Sequence, residues 1–178
     1  LLAKPVTRIE IIIGKWFGAW IITSVALFAF YILTFLLVAS RGTFLNINVF
    51  WQTYFLHCIL LSIIVSISVT LSTRLNSDAA STLSFVITAA SFLVVPRVPQ
   101  FITSENQIRS FFLLLLYHAL PHFEIFDIRQ RLVHDFSPIG TKVFLQIITY
   151  GIALTVFFLV IGWISFRRRI FARGDLSQ

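Results

Sequence analysis

Four stretches of the chain carry no Lys, Arg, Asp or Glu: residues 16–40, 42–73, 79–96 and 143–166. Apolar residues run through them without the two-residue alternation of a barrel strand, and each run approaches or exceeds the roughly 20 residues that a helix needs to cross a hydrocarbon layer. An isolated segment in lipid must satisfy its own backbone hydrogen bonds, so the pattern predicts helical spans at 17–39, 50–72, 79–96 and 143–165. The fold class that follows is all-α: a polytopic membrane helical bundle of four transmembrane helices plus short amphipathic or re-entrant helices. It forms one transmembrane domain over residues 1–178.

The polar stretches between the runs fill in the connections. In TRLNSDAAST (73–82), Asn76, Ser77 and Asp78 are suited to turn the chain tightly and to cap the third helix. PRVP (96–99) ends that helix, because proline lacks the amide donor and forces its predecessor into extended geometry. Residues 98–142 form an outer segment with its own pattern: Ser104 and Gln107 have capping-box spacing before the apolar run FFLLLLYHAL, which Pro121 closes. That run is too short to span and predicts a re-entrant or interfacial helix. In 122–136, Ile125, Ile128, Leu132 and Phe136 follow helical steps, and Asp127–Arg131 and Arg131–Asp135 are spaced as surface ion pairs. This predicts an amphipathic helix on the outer face of the membrane.

Composition agrees: 58% hydrophobic residues, 12% charged and a mean hydropathy of +0.92 exclude a soluble globular chain. The net charge of +7 does not point to nucleic acid, because the cations gather beside span ends. One side would hold Lys4, Arg8, Lys15, Arg74, Arg167, Arg168, Arg169 and Arg173, the other Arg41, Arg97, Arg109, Arg129, Arg131 and Lys142, mostly in a long loop. The positive-inside rule therefore puts both chain ends, including the tail 166–178, in the cytoplasm. No methionine occurs, even at position 1, so the expectation is a piece of a longer protein. Cys58, the single cysteine, lies within a span and cannot form an intrachain disulfide.

Within the spans few groups invite chemistry. Trp16 and Trp20 at the first span's entry, Trp51 and Tyr54 at the second's outer end and Trp163 near the last span's inner end fit interfacial aromatic belts. Ser62, Ser66 and Thr70 at four-residue spacing predict close helix packing. His57, the one titratable imidazole in a span, fits a packed or interfacial residue better than a proton relay. In the outer segment His118 and His122 have the i, i+4 spacing of a metal pair, but Pro121 lies between them, so interfacial polar residues are the preferred reading and the metal assignment is none. Gly14-Lys15 is no phosphate loop: position 9 is Ile and Trp16 follows the lysine. The chain has no nucleotide-binding site of its own, and an enzyme using the outer histidines is the least favoured class.

The opening LLAKPVTRIEIIIGKWFGAW places Pro5 at a helix start and Val6, Ile9, Ile13 and Phe17 on one face, which predicts a short amphipathic helix over residues 5–15 on the cytoplasmic surface. Such a helix serves either as a basic surface anchor or as a docking element for a partner. This segment resembles the cytoplasmic element of type-2 (ABC-2 type) membrane permease subunits of ATP-binding-cassette transporters, in which a K/R-P-V-S/T-R core and a later Gly-Lys precede a span. LSTRLNSDAAST, LPHFEIFDIRQRL and FRRRIFARGDL resemble the later regions of that family, in order.

The resemblance implies a coupling helix within residues 1–15, with Lys4, Pro5, Val6, Thr7, Arg8, Gly14 and Lys15 contacting a separate cytoplasmic ABC ATPase subunit that binds ATP and Mg. It also implies a second permease subunit, in a homo- or heterodimer, and the last four spans of a six-span protein. The further implications are alternating-access export and a bacterial inner membrane. The competing reading is a non-transporting membrane scaffold that recruits a cytoplasmic partner through the same basic helix. No substrate-binding residue can be named from the sequence.

Overall fold

The computed structural model describes residues 7–42, 46–101, 107–134 and 136–167. Helix α1 (Arg8–Ser40) starts at a capping box: the Thr7 hydroxyl accepts from the Glu10 amide, and the Glu10 carboxylate accepts from the Thr7 amide at 2.8 Å. It ends where Gly42, at φ +74°, enters the left-handed region and returns its N–H to the Ala39 carbonyl. Helix α2 (Ile47–Ser72) is capped by the Asn46 side chain. A tight turn over 73–76 leads to α3 (Ser77–Leu93), with Asn76 at the N-cap position but without a side-chain capping bond. Beyond α3, Val95–Arg97 forms a 3-10 turn and Val98–Phe101 a single α-turn, α4. The regular helix stops at Leu93, but the extended geometry expected before the prolines is not adopted: Val95 lies in the 3-10 turn and Val98 is α-helical at φ −52°, ψ −45°, so the chain continues in short helical turns to Phe101. Next come α5 (Gln107–Ala119), too short to span, α6 (Arg129–Val133) and α7 (Thr141–Arg167).

Among the described residues four helices are long and apolar enough to cross a membrane, with limits Ile9–Ser40, Ile47–Ser72, Ser77–Phe101 and Thr141–Phe166. Each of the four predicted spans, 17–39, 50–72, 79–96 and 143–165, lies within one of them. The α1 N-terminus, the 73–76 turn and the α7 C-terminus share one end of the bundle, called here the inner end; the outer segment lies at the other. α2 is the central helix, packed against α7, α1 and α3. α1 is antiparallel to α2 and α7 is parallel to it, as their cross-links show: Trp20 reaches Cys58 and Trp16 reaches Ser62, while Ser62 meets Thr155 and Thr70 meets Phe158.

The α2–α7 seam is close because its residues are small. The Ser62 and Thr155 hydroxyls lie 3.1 Å apart, and the Thr70 hydroxyl donates to the Phe158 carbonyl at 2.7 Å. Opposite them Gly151 and Gly162 leave no room for a side chain: a β-carbon at Gly151 would overlap Ile59 and sit 2.9 Å from the Phe126 ring, and one at Gly162 would sit 2.9 Å from the Thr70 hydroxyl. The hydroxyl face predicted for close packing is used in that way, except that Ser66 turns back to the Ile63 carbonyl.

Two further sequence expectations change in how the bundle packs. Trp16 and Trp20 are not a belt at the first span's entry. Because α1 already starts at Arg8, both rings lie beside the middle of α2, stacked on each other at 5.6 Å, and donate their indole N–H groups to the Ser62 and Cys58 carbonyls. An indole N–H in an apolar layer needs an acceptor, and the α2 backbone supplies it.

The amphipathic helix predicted over 122–136 is replaced by a 3-10 turn, Phe123–Phe126, and the short α6. Side chains three apart eclipse in a 3-10 turn, so Phe123 and Phe126 point the same way, and both are fully buried at 0% exposure. They enter a core with Leu56, Leu60, Ile63 and Ile147, and Phe126 stacks on Tyr150. Burying two phenylalanine rings outweighs laying Ile125 and Phe136 on a surface; both of those are exposed. Residues 121–128 are therefore the part of the outer segment that re-enters the bundle, to the depth of Ile59 and Gly151.

Candidate functional site

Lys4, Pro5 and Val6 lie outside the described residues, and of Arg8 only the backbone in the first turn of α1 is described. Thr7 caps the helix and is exposed, as are Glu10, Gly14 and Lys15; the space around Gly14 is open. The opposite face is docked on α7, where Ile12 is buried and, with Ile9 and Ile13, lines a small apolar crevice of about 230 Å³ against Leu159, Val160 and Trp163. Residues 8–15 are continuous with the rest of α1.

Depth separates the candidates. Trp16 is level with Ser62, so Thr7, nine residues earlier at 1.5 Å per residue, lies about 13 Å nearer the inner end, beside the last turn of α2. Gly14 and Lys15 lie beside the lower middle of α2. An exposed lysine at that level reaches the interface only by extending its stem toward the inner end.

A second group of residues was not assembled by sequence reasoning. Tyr31 on α1, His57 on α2, and Asp127 and Arg129 of the outer segment form a connected polar set. The Asp127 carboxylate accepts from the backbone amide of Arg129, the first residue of α6, at 3.2 Å. The same carboxylate receives the guanidinium in a two-point pair, Nε to Oδ1 at 2.8 Å and Nη2 to Oδ2 at 2.6 Å. This pair holds the Asp127 carboxyl below the usual carboxylate range and raises the Arg129 guanidinium further. The expected Asp127–Arg131 pair is not formed: no helix connects 127 to 131, and Arg131 donates instead to the Ser137 carbonyl. Asp135, its other expected partner, lies outside the described residues.

His57 Nε2 lies 3.9 Å from Asp127 Oδ1. A carboxylate on that side favours the proton on Nε2, leaving Nδ1 to accept from the Tyr31 hydroxyl. Around the set is a cavity of about 610 Å³, between α1 and α3 along α2, walled by Leu27, Leu60, Leu61, Phe92 and Leu93. The sequence singled out His57 and Asp127 separately. Their partnership depends on the re-entrant turn, for which no periodic signal exists.

His118 and His122 do not form a pair on one helical face. α5 stops at Ala119, His118 Nδ1 lies against the Leu114 carbonyl, and the His122 ring packs edge-on to Tyr117. Among the described residues no group of three or more His, Cys, Asp or Glu side chains is placed to hold a metal ion. Gln52 is another residue with no sequence signal: its amide exchanges two hydrogen bonds with the Ile139 backbone, at 3.0 and 2.9 Å, and ties the end of the outer segment to α2.

The model of the family described as ABC-2 family transporter protein matches residues 1–173. No curated protein and no solved structure matches the chain.

Proposed function

The chain belongs to the ABC-2 family of transporter proteins, and from that premise we propose that it is the permease subunit of an exporter driven by a separate ATPase. The observation that carries the reading is the family match over nearly the whole chain, supported by a capped α1 terminus exposed at the same end as the α2–α3 turn and the close of α7. In this reading that end is cytoplasmic, in a bacterial inner membrane. The ATPase binds ATP and Mg, and this chain receives the movement.

Contact falls to Lys4, Pro5, Val6, Thr7 and Arg8. Gly14 and Lys15, two turns deeper, act through the seating of α1: the lysine anchors the helix at the interface, and the glycine leaves room for a neighbour. A second permease subunit completes the path, and alternating access follows from two arrangements of packed helices that ATPase binding favours unequally. Spans poor in ionisable groups agree with an external energy source.

The test is copurification of a nucleotide-hydrolysing partner with the full-length protein, run in parallel on Arg8→Glu. The substitution is expected to reduce ATPase association and transport while membrane levels stay unchanged. Equal loss of membrane protein would assign Arg8 to insertion instead. Absence of any ATPase after cross-linking in membranes would overturn the transporter reading in favour of a scaffold.

A further inference from the structure

The Asp127–Arg129 pair sits where charge is expensive. Asp127 is within 3.9 Å of His57, inside a helix long and apolar enough to span, and the turn that carries it packs at mid-bundle depth. Intramembrane charges are normally turned inward and matched. Here the carboxylate side is matched, since Asp127 accepts from the Arg129 amide, Nε and Nη2, and its side chain is 23% exposed. The Arg129 side chain is 68% exposed and lines the cavity. Hydrogen bonds capable of meeting a ligand therefore come from donors: the remaining guanidinium N–H groups and the Nε2–H of His57. Asp127 has little acceptor capacity left. Below these donors the cavity is walled by leucines and Phe92.

Donors at one pole, an apolar wall at the other and a volume of about 610 Å³ define the ligand class. We propose that this cavity binds an anionic amphiphile, with its carboxylate or phosphate on Arg129 and His57 and its chain along Leu27, Leu61 and Leu93. A cation is disfavoured, because the one carboxylate is already neutralised by the guanidinium that would repel it. Two sources present this chemistry, an anionic lipid of the bilayer and a transported solute, and the site is built for the group they share.

The experiment uses the full-length protein in nanodiscs of neutral lipid, with radiolabelled palmitate as the probe and dodecyl phosphate and dodecyltrimethylammonium as competitors. Expected is displacement by the phosphate and not by the ammonium, and a loss of palmitate affinity in Arg129→Gln of about tenfold or more, the worth of one charge-assisted hydrogen bond. Leu61→Trp, which fills the wall, is expected to remove the gain in affinity with chain length. Because Arg129→Gln leaves Asp127 unpaired, Asp127→Asn/Arg129→Gln removes both charges together and is expected to show the same loss of binding in a folded protein.

Equal competition by the ammonium, or unchanged affinity in the double variant, would overturn the proposal. Mass spectrometry of the protein from native membranes and nucleotide-driven movement of palmitate in proteoliposomes then separate the sources. An anionic phospholipid retained by the wild type and lost from the double variant identifies a bilayer lipid, and driven movement identifies cargo. Binding is measured without nucleotide or ATPase, so its failure and the failure of the coupling reading are separate results.

Discussion

The two long neighbours of α2 meet it in opposite ways. α7 approaches through glycines and hydroxyls, so closely that a β-carbon at Gly151 or Gly162 collides with α2 or the re-entrant turn. α1 stands off on aromatic rings, stacked Trp16 and Trp20 at mid-depth and Phe28, Tyr31 and Tyr54 further out, leaving an apolar cavity of about 550 Å³ beside Trp20, Ser24 and Ile148. A seam of interdigitated small residues has one register. A seam of indoles bonded to backbone carbonyls does not depend on which side chains α2 presents, and the next carbonyls lie one turn away. The contrast marks α2 and α7 as the closely packed pair and α1 as the helix held off α2 by its rings.

The largest effect is expected at the close seam: Gly151→Val should destabilise the bundle by about 3 kcal/mol, the upper range for overpacking a tight interior, read as a lowered midpoint in detergent-induced unfolding. A loss well under 1 kcal/mol there would mean that the seam opens easily, and the contrast would fail. At the aromatic seam Trp20→Phe keeps the ring and deletes the 2.8 Å bond to Cys58, with an expected cost of about 1 kcal/mol. Cysteine pairs across α1 and α2 should at the same time cross-link over more than one register. Ser62→Ala removes one hydroxyl contact between helices, and such bonds in membrane bundles average about 0.6 kcal/mol.

Smallest near neutral pH is the titration of the outer segment. The pairing with Arg129 depresses the folded-state pKa of Asp127, so its contribution is fully present above the unfolded carboxylate value of about 4 and is lost as pH falls through the folded value. Protease cleavage within 121–134 is expected to rise only in that acid window. A rise beginning near neutrality would assign the attachment to another group.

What could be read from the sequence followed periodicity. Long charge-free runs gave the helices, and Ser62 and Thr70 gave the face on which α7 packs, because spacing along a helix fixes which side chains are neighbours. The partners opposite, Gly151 and Gly162, stood in plain view, but their pairing needed three dimensions. Trp16 and Trp20 were misplaced because composition favours the interface for indoles and cannot report that α1 begins two turns before its apolar run. The re-entrant turn was least legible: Ile125, Ile128, Leu132 and Phe136 made a plausible helical face, yet Phe123 and Phe126 gained more from the core. His57 and Asp127 were each visible but their set was not: α1–α2 packing brings Tyr31 to His57, and the re-entrant turn brings Asp127 and Arg129 to them.

The unbroken course of α1 gives the proposed coupling a mechanical form. Between Arg8 and Tyr31 the helix is a rod of about 35 Å, counted at 1.5 Å per residue, with the Thr7 cap at one end and the polar cavity near the other. Trp16 and Trp20 sit between those ends, bonded to the α2 backbone; on the proposed coupling, a push at the cap would tilt the rod about the indoles and swing Tyr31 in the opposite sense. Tyr31 is hydrogen-bonded to His57, so on that proposal an event outside the membrane layer would reach the charge pair within it, and the transmission would require no bend anywhere along the helix.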